Sequence, residues 1–223
     1  MSFLVNSGEP AGVLHNELLP KGNQEMKTRI AKVVMLLAVI AAMFMMVPHS
    51  VEASGPPPTP PPPANVSSIG VIGGPNEPGE RIVVSGQVFA PDGITPVAGV
   101  IVYAYQTDAT GHYQNDPQTR VARLHGWAKT DAQGRYEFRT IRPAAYPSRD
   151  IAAHIHFHVW GAGYPLQWTP ELMFAGDPLL KPDQIRESTG LGKFANVQPL
   201  VSSSDGALHC TFNIRISAVT NYS

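Results

Sequence analysis

Apolar and polar positions alternate with a period of two along much of the second half of the chain. The clearest stretches are Arg81 to Phe89, Val100 to Gln106, Arg123 to Thr130, Arg135 to Ile141, Ala153 to Trp160 and Leu208 to Ile216. Successive side chains of a strand leave opposite faces, so this pattern predicts strands with one face in a core. Turn-forming residues separate them: Asp92-Gly93, Asp131-Ala132-Gln133-Gly134 and Gly161-Ala162-Gly163. No stretch carries sustained helical periodicity. Short strands at this spacing predict an all-β antiparallel β-sandwich. Residues 161–207 have weak strand signal and much Pro, Gly and Asp, which predicts long ordered active-site loops or short helical turns.

The first quarter has a different pattern. Residues 33–47 are uninterruptedly apolar, preceded by Lys27, Arg29 and Lys32, and followed by Pro48 and Val51-Glu52-Ala53. That order is the layout of a secretory signal peptide. The run is shorter than the roughly 20 residues that span a bilayer. The expectation is therefore export by a Sec-type route to the periplasm or beyond, with no stable membrane insertion after cleavage. A retained anchor is the alternative. Met26 opens a better-proportioned signal peptide than Met1, and residues 1–25 read as a misassigned start. The predicted organisation is an upstream extension and signal peptide over 1–53, a Pro-rich linker over 54–64, and one folded domain over 65–223. Pro56 to Pro63 hold seven prolines interrupted by Thr59. This composition predicts a stiff polyproline II spacer rising about 3 Å per residue.

The 223 residues carry a net charge of −1, and no Lys/Arg cluster lies in the second half. Without a basic stripe to displace counterions, nucleic acid is not an expected partner. The single cysteine, Cys210, cannot form an internal disulfide and reads as a small buried side chain in a strand.

The candidate chemistry centres on Ala-Ala-His154-Ile-His156-Phe-His158. Imidazoles at i and i+2 of a strand leave the same face, so His154 and His156 can meet one metal ion. Taken alone, such a pair reads as sheet residues hydrogen-bonded to loops. Tyr146 just upstream and Tyr113 change that reading, because two phenolates and two imidazoles suit ferric iron. His158 shares the face and reads as packed further from the metal. His112 and His125 read as ordinary loop or strand residues. Tyr103, Tyr105, Tyr136 and Tyr164 read as packing residues, since buried phenols usually find a hydrogen bond. Trp127, Trp160 and Trp168 are core or pocket candidates, and Asp177 is a turn cap.

These residues stand in an ordered series. Ser85-Gly86-Gln87-Val88 and Asp92-Gly93 precede Pro96-Val97-Ala98-Gly99-Val100. Tyr105-Gln106-Thr107-Asp108 leads to Gly111-His112-Tyr113. Asp131, Gly134, Tyr136 and Phe138 lead to Thr140-Ile141-Arg142-Pro143. Tyr146-Pro147, His154-Ile155-His156-Phe157 and Phe174-Ala175-Gly176-Asp177-Pro178 follow. Over most of residues 80–216 the chain resembles the intradiol ring-cleavage dioxygenases, close to the protocatechuate-type catalytic core. The resemblance implies Fe(3+) held by Tyr113, Tyr146, His154 and His156, with Tyr146 and His156 axial. It implies a catechol-type substrate opened by O2 between its two hydroxylated carbons to a cis,cis-muconate-type diacid. Tyr146 would act as ligand and as base. No organic cofactor is implied, and a homo-oligomer is compatible with it.

The departures from the family pattern are local. The connection from Tyr146 to His154 is short. Ile151 stands where protocatechuate enzymes place an Arg that supports the ring carbanion, and Arg149 is the substitute candidate for catalysis and substrate binding. Glu171 replaces a frequent Gln; buried beside anionic ligands it would be protonated or paired. No stretch matches the helical N-terminal dimerisation region of catechol 1,2-dioxygenases. Two other readings remain: a non-catalytic transthyretin-like binding module, and an iron-binding relative without turnover.

Overall fold

The computed structural model describes residues 58–219, together with Arg29, Ile30, Lys32, Val33 and Met35, which are helical and exposed. The extension and most of the signal-peptide stretch lie outside the described residues. No described helix is long and apolar enough to cross a membrane.

The domain is two sheets packed face to face. Strands β1 (Ile69–Val71), β2 (Arg81–Phe89), β5 (Arg135–Ile141), β10 (Val201–Ser202) and β11 (Leu208–Thr211) form the first sheet in the order β1-β5-β2-β11-β10. Strand β12 (Ile214–Arg215) also pairs with β2. Strands β3 (Ile101–Gln106), β4 (Leu124–Lys129), β6 (His154–Gly161), β8 (Leu172–Phe174) and β9 (Val197–Gln198) form the second in the order β4-β3-β6-β8-β9. Strand β7 (Tyr164–Trp168) pairs with β6.

The sandwich is mixed, not antiparallel throughout. Strands β1 and β5, β8 and β9, and both β11 and β12 with β2 run parallel. Parallel pairing needs a long crossover, and residues 161–207 supply one. They contain the nine-residue helix α1 (Pro182–Gly190), in the stretch expected to hold loops or short helical turns, and also the short strands β7 to β10, which that reading did not place. The only buried residue of α1 is Ser188, so it has no apolar stripe to read. It is held by polar contacts instead. Pro182 opens its first turn, the Lys181 N–H donates to Gln184 Oε1 at 2.9 Å, and Ser188 Oγ accepts from Asn196 and Val197 N–H.

The core lies between the sheets. Ile82, Val84, Val88 and Phe138 of one face meet Val102, Ala104, Ile155, Phe157 and Val159 of the other. Phe157 touches Tyr136, Phe138 and Phe212 with ring centroids 5.1–6.4 Å apart. Alternation then sends His154, His156 and His158 of β6 to the outer face of the second sheet. Tyr103 and Tyr105 of β3 lie on that face too, in register with His158 and His156. A second cluster of Tyr103, Tyr105 and Ala122, flanked by Tyr113, Trp127 and Trp160, covers it. The second sheet is thus buried on both sides, which lets one strand carry apolar core residues and polar site residues in alternation.

Candidate metal centre

Three segments bring the site together. β6 carries His154 and His156. The loop after β3 carries Tyr113, and the loop between β5 and β6 carries Tyr146. Asp108 organises the first loop. Its Oδ1 accepts from the N–H groups of Thr110 and His112 and from the Thr110 hydroxyl, and its Oδ2 accepts from Gln114 Nε2 at 2.6 Å. The loops are also joined to each other. The Ala144 N–H donates to Asp108 O at 3.0 Å, and the Thr107 hydroxyl donates to Ala144 O at 2.7 Å. Below them the buried Gln106 bridges the sheets, donating to Ile141 O and accepting from the Thr140 hydroxyl. Asp177 caps a turn as expected, accepting from Leu179 N–H, and also accepts from the Ala153 N–H just before His154.

Burial pushes the Asp108 carboxyl up, but the hydrogen bonds from Thr110, His112 and Gln114 outweigh it and hold it below the usual value. A depressed carboxyl stabilises the fold fully above the unfolded value of about 3.9, and that contribution is lost as pH falls through the folded value. Amide protection in residues 108–114, taken relative to the intrinsic exchange rate at each pH, is therefore expected to fall on acidification below about pH 4. Asp108→Asn should show fast exchange already at neutral pH, with a weaker acid dependence.

The four side chains form a closed ring of donor atoms. Tyr113 Oη lies 2.5 Å from Tyr146 Oη, Tyr146 Oη 3.1 Å from His154 Nε2, His154 Nε2 3.1 Å from His156 Nε2, and His156 Nε2 2.9 Å from Tyr113 Oη. Ligands held about 2.0–2.2 Å from a metal ion stand about 2.8–3.1 Å apart at right angles. Three edges of the ring match that spacing, and the Tyr113–Tyr146 edge is shorter, as for a shared hydroxyl proton.

Proton counting points the same way. His154 Nδ1 donates to Ala152 O at 2.7 Å, which leaves Nε2 as a bare lone pair facing the ring. His156 turns Nδ1 toward Glu171 Oε1 at 3.7 Å, and its Nε2 faces inward to the ring. Burial, then the neighbouring His154 and His158, push the His156 pKa down to about 3, so its imidazole is neutral. Burial raises both phenols: Tyr113 far above its usual value, reinforced by Tyr146, and Tyr146 less, because the Tyr113 hydrogen bond opposes the rise. Two hydroxyl protons then serve four edges. A cation at the centre would be met by one lone pair from each of the four atoms. Among the described residues no three His, Cys, Asp or Glu side chains group into a metal site. The two tyrosines are therefore what would make this ring a metal site, and phenolate oxygen with imidazole nitrogen is a donor set that suits ferric iron.

A family model described as Dioxygenase matches residues 65–218. The protocatechuate 3,4-dioxygenase beta chain of Burkholderia cepacia is 38% identical over 122 residues, covering 50% of this chain and 52% of the relative. The chain belongs to the intradiol ring-cleavage dioxygenase family. Catechol 1,2-dioxygenase 1 of Acinetobacter lwoffii is 32% identical over 155 residues, 61% of this chain and 49% of that relative. The chain thus spans about half the length of these curated relatives. Among solved structures, the dioxygenase domain of a dioxygenase carbohydrate-binding protein fusion from Streptomyces sp. SirexAA-E superposes with a TM-score of 0.53 at 27% identity. It covers 74% of this chain and 96% of that one.

Other expected residues fall around the ring of this intradiol dioxygenase domain. Arg149 is exposed, with its guanidinium carbon 5.8 Å from the Tyr146 ring centroid. Ile151 is 39% exposed. Glu171 is not buried as expected: its side chain is 51% exposed, because it stands on the exposed loop just before β8, where its backbone carbonyl accepts from Asn196 Nδ2. Its charge still reaches the site and adds, behind burial, to the rise of both phenols. His158 stays outside the ring, stacked on Trp168 at 4.9 Å and 7°. Tyr136 donates to Phe212 O, whereas the Tyr103 hydroxyl is buried with no hydrogen-bond partner among the described residues, against the expectation for a packed phenol. Cys210 is buried and unpaired, as expected. The supports Asp108 and Gln106 lie inside the motif series but carry no signal of their own role. Their function depends on contacts across the two loops.

Proposed function

We propose that this domain is a non-haem ferric dioxygenase that opens a catechol-type ring between its two hydroxylated carbons, with Tyr113, Tyr146, His154 and His156 as the metal ligands. The closed ring of two phenol oxygens and two imidazole nitrogens carries this reading. Bound ferric iron would supply Lewis acidity, lowering the pKa of both phenols and of the catechol hydroxyls. The chain's own groups do the rest. The Ala152 carbonyl fixes His154 in the tautomer that presents Nε2. Tyr105 stacks on His156 at 4.6 Å and 11° and holds its ring plane. Tyr146 is half-buried on a loop, so its phenolate oxygen can leave the ring and accept a catechol proton as general base. Arg149, at the outer side of Tyr146, places a positive charge where the substrate ring gains negative charge. Both atoms of O2 enter the product, a diacid of the cis,cis-muconate type.

The test is oxygen uptake by the iron-loaded protein across a panel of catechols, with one diacid formed per O2 consumed. No uptake from any catechol would overturn the assignment. Tight iron binding without uptake would favour a relative without turnover, to which Ile151 in the place of an Arg points. We also assign export to residues 26–53, and the secreted protein is expected to begin near Ser54 on N-terminal sequencing.

Glu171→Gln removes the negative charge facing His156 Nδ1. Partners of metal-bound imidazoles are worth about 10–100-fold in affinity. The 3.7 Å separation and the solvent exposure of Glu171 place this one at the lower end. Iron affinity is expected to fall about tenfold, read by competition with a chelator.

A further inference from the structure

The Pro-rich stretch reads from sequence as a spacer, yet its described part lies against the domain. Thr59 Oγ1 is 2.5 Å from His158 Nδ1, and the Trp127 indole N–H donates to Pro60 O at 3.3 Å. Both contacts are on the outer face of the second sheet, the face that carries the metal-centre histidines.

His158 is the informative residue. It is 1% exposed, and its Nε2 has no hydrogen-bond partner among the described residues. Thr59 is therefore the only described hydrogen-bond partner of this imidazole. An apolar side chain would fill the position without a polar group to satisfy. A histidine there makes sense if the arm must be held in place. From His158 the packing runs directly to the centre. Its ring stands edge-on to Tyr105 at 5.4 Å and 79°, and Tyr105 stacks on His156 at 4.6 Å and 11°. Trp168 closes the other side of His158, and Trp127 packs on Tyr103, which borders His158 at 5.6 Å.

We infer that the Thr59–Pro60 step is a clip that locks the aromatic layer behind His156, which makes Thr59 and His158 positioning residues for the metal centre. The inference rests on the reading of Tyr113, Tyr146, His154 and His156 as the ligand set. Proline suits the arm, because a stiff segment loses little entropy on docking and transmits a fixed position. Without the Thr59 hydroxyl, His158 loses its partner, the Tyr105 edge contact loosens, and the His156 ring gains freedom.

The experiment uses the full chain with Thr59→Val, which keeps the shape and deletes the hydroxyl, and Thr59→Ser, which restores it. In the metal-free protein, exchange of the Trp127 indole N–H is expected to rise about tenfold or more in Thr59→Val. The ring protons of His156 should shift as the Tyr105 stack relaxes. In the iron-loaded protein, the tyrosinate-to-iron charge-transfer band should move, and kcat should fall about three- to tenfold with KM within about twofold. Thr59→Ser should return each quantity toward the parent value. Unchanged indole exchange in Thr59→Val would overturn the clip. Faster exchange with an unmoved His156 ring signal would overturn the positioning role and leave the arm as packing only. A parent chain that takes up no iron would overturn the ligand reading, while the metal-free signals would still decide the clip.

Discussion

Tyr146→Phe is expected to lower kcat by about 10²–10⁴-fold while leaving the domain folded. The side chain is half-buried on a loop, outside the core cluster between the sheets, so the structural cost is small. The hydroxyl's two neighbours are Tyr113 Oη at 2.5 Å and His154 Nε2 at 3.1 Å, both in the donor ring. Deleting it opens the ring and removes the proposed base in one step. Iron uptake should weaken, and the charge-transfer absorption should change shape, because Tyr113 alone would then contribute a phenolate. Tyr164→Phe is the control: that tyrosine lies on β7, outside the ring. Turnover of Tyr146→Phe within about tenfold of the parent would remove Tyr146 as the base. An unchanged band would remove it as a ligand. The two readouts separate its roles, since a group can be either without being the other.

The site was more legible than the architecture around it, for a physical reason. The histidines sit on β6, where a period of two fixes which face a side chain takes, so His154 and His156 could be paired from spacing alone. The core partners Ile155, Phe157 and Val159 follow from the same alternation. The tyrosines lie on irregular loops, and no periodicity relates Tyr113 to Tyr146. Only the ordered motif series joined them. The long strands β2 and β5 begin and end where the pattern placed them. The strands β1, β8, β9 and β10 are two or three residues long, too short for alternation to register. The bounds of helix α1 were not readable within the stretch expected to hold short helical turns, because its packing is polar. Glu171 was misplaced because its motif position says which residues are its neighbours in sequence but not that its turn faces solvent. Thr59 illustrates the same limit. Composition marks the segment as stiff, and whether a stiff segment docks depends on a histidine 99 positions away.

Gly111→Ala is the substitution expected to disturb both tyrosine loops at once. Gly111 has φ +85°, a conformation that costs an L-residue about 1–2 kcal/mol. A Cβ there would also stand 2.1 Å from Ala145 O and 3.0 Å from Pro147 Cδ. Ordinary carbon–oxygen contacts are about 3.3 Å or longer, so the two backbones would have to part by about 1 Å. Gly111 lies two residues before Tyr113, and Ala145 immediately precedes Tyr146, so the parting falls on the 2.5 Å edge of the donor ring. Strain and displacement together should cost about 2–4 kcal/mol of stability and lower Tm by about 5–15 °C. A misplacement of about 1 Å also costs about 10²-fold in rate. Gly163→Ala separates the two causes. Gly163 has nearly the same φ, +87°, with no atom within 4 Å of its hypothetical Cβ. It should lose only the conformational part, about 1 kcal/mol, with iron uptake and the charge-transfer band intact. If Gly111→Ala is no worse than Gly163→Ala in either stability or iron uptake, the close approach of the loops is not what sets the spacing of the two phenols. The burden would then fall on Asp108 and the Thr107–Ala144 hydrogen bond.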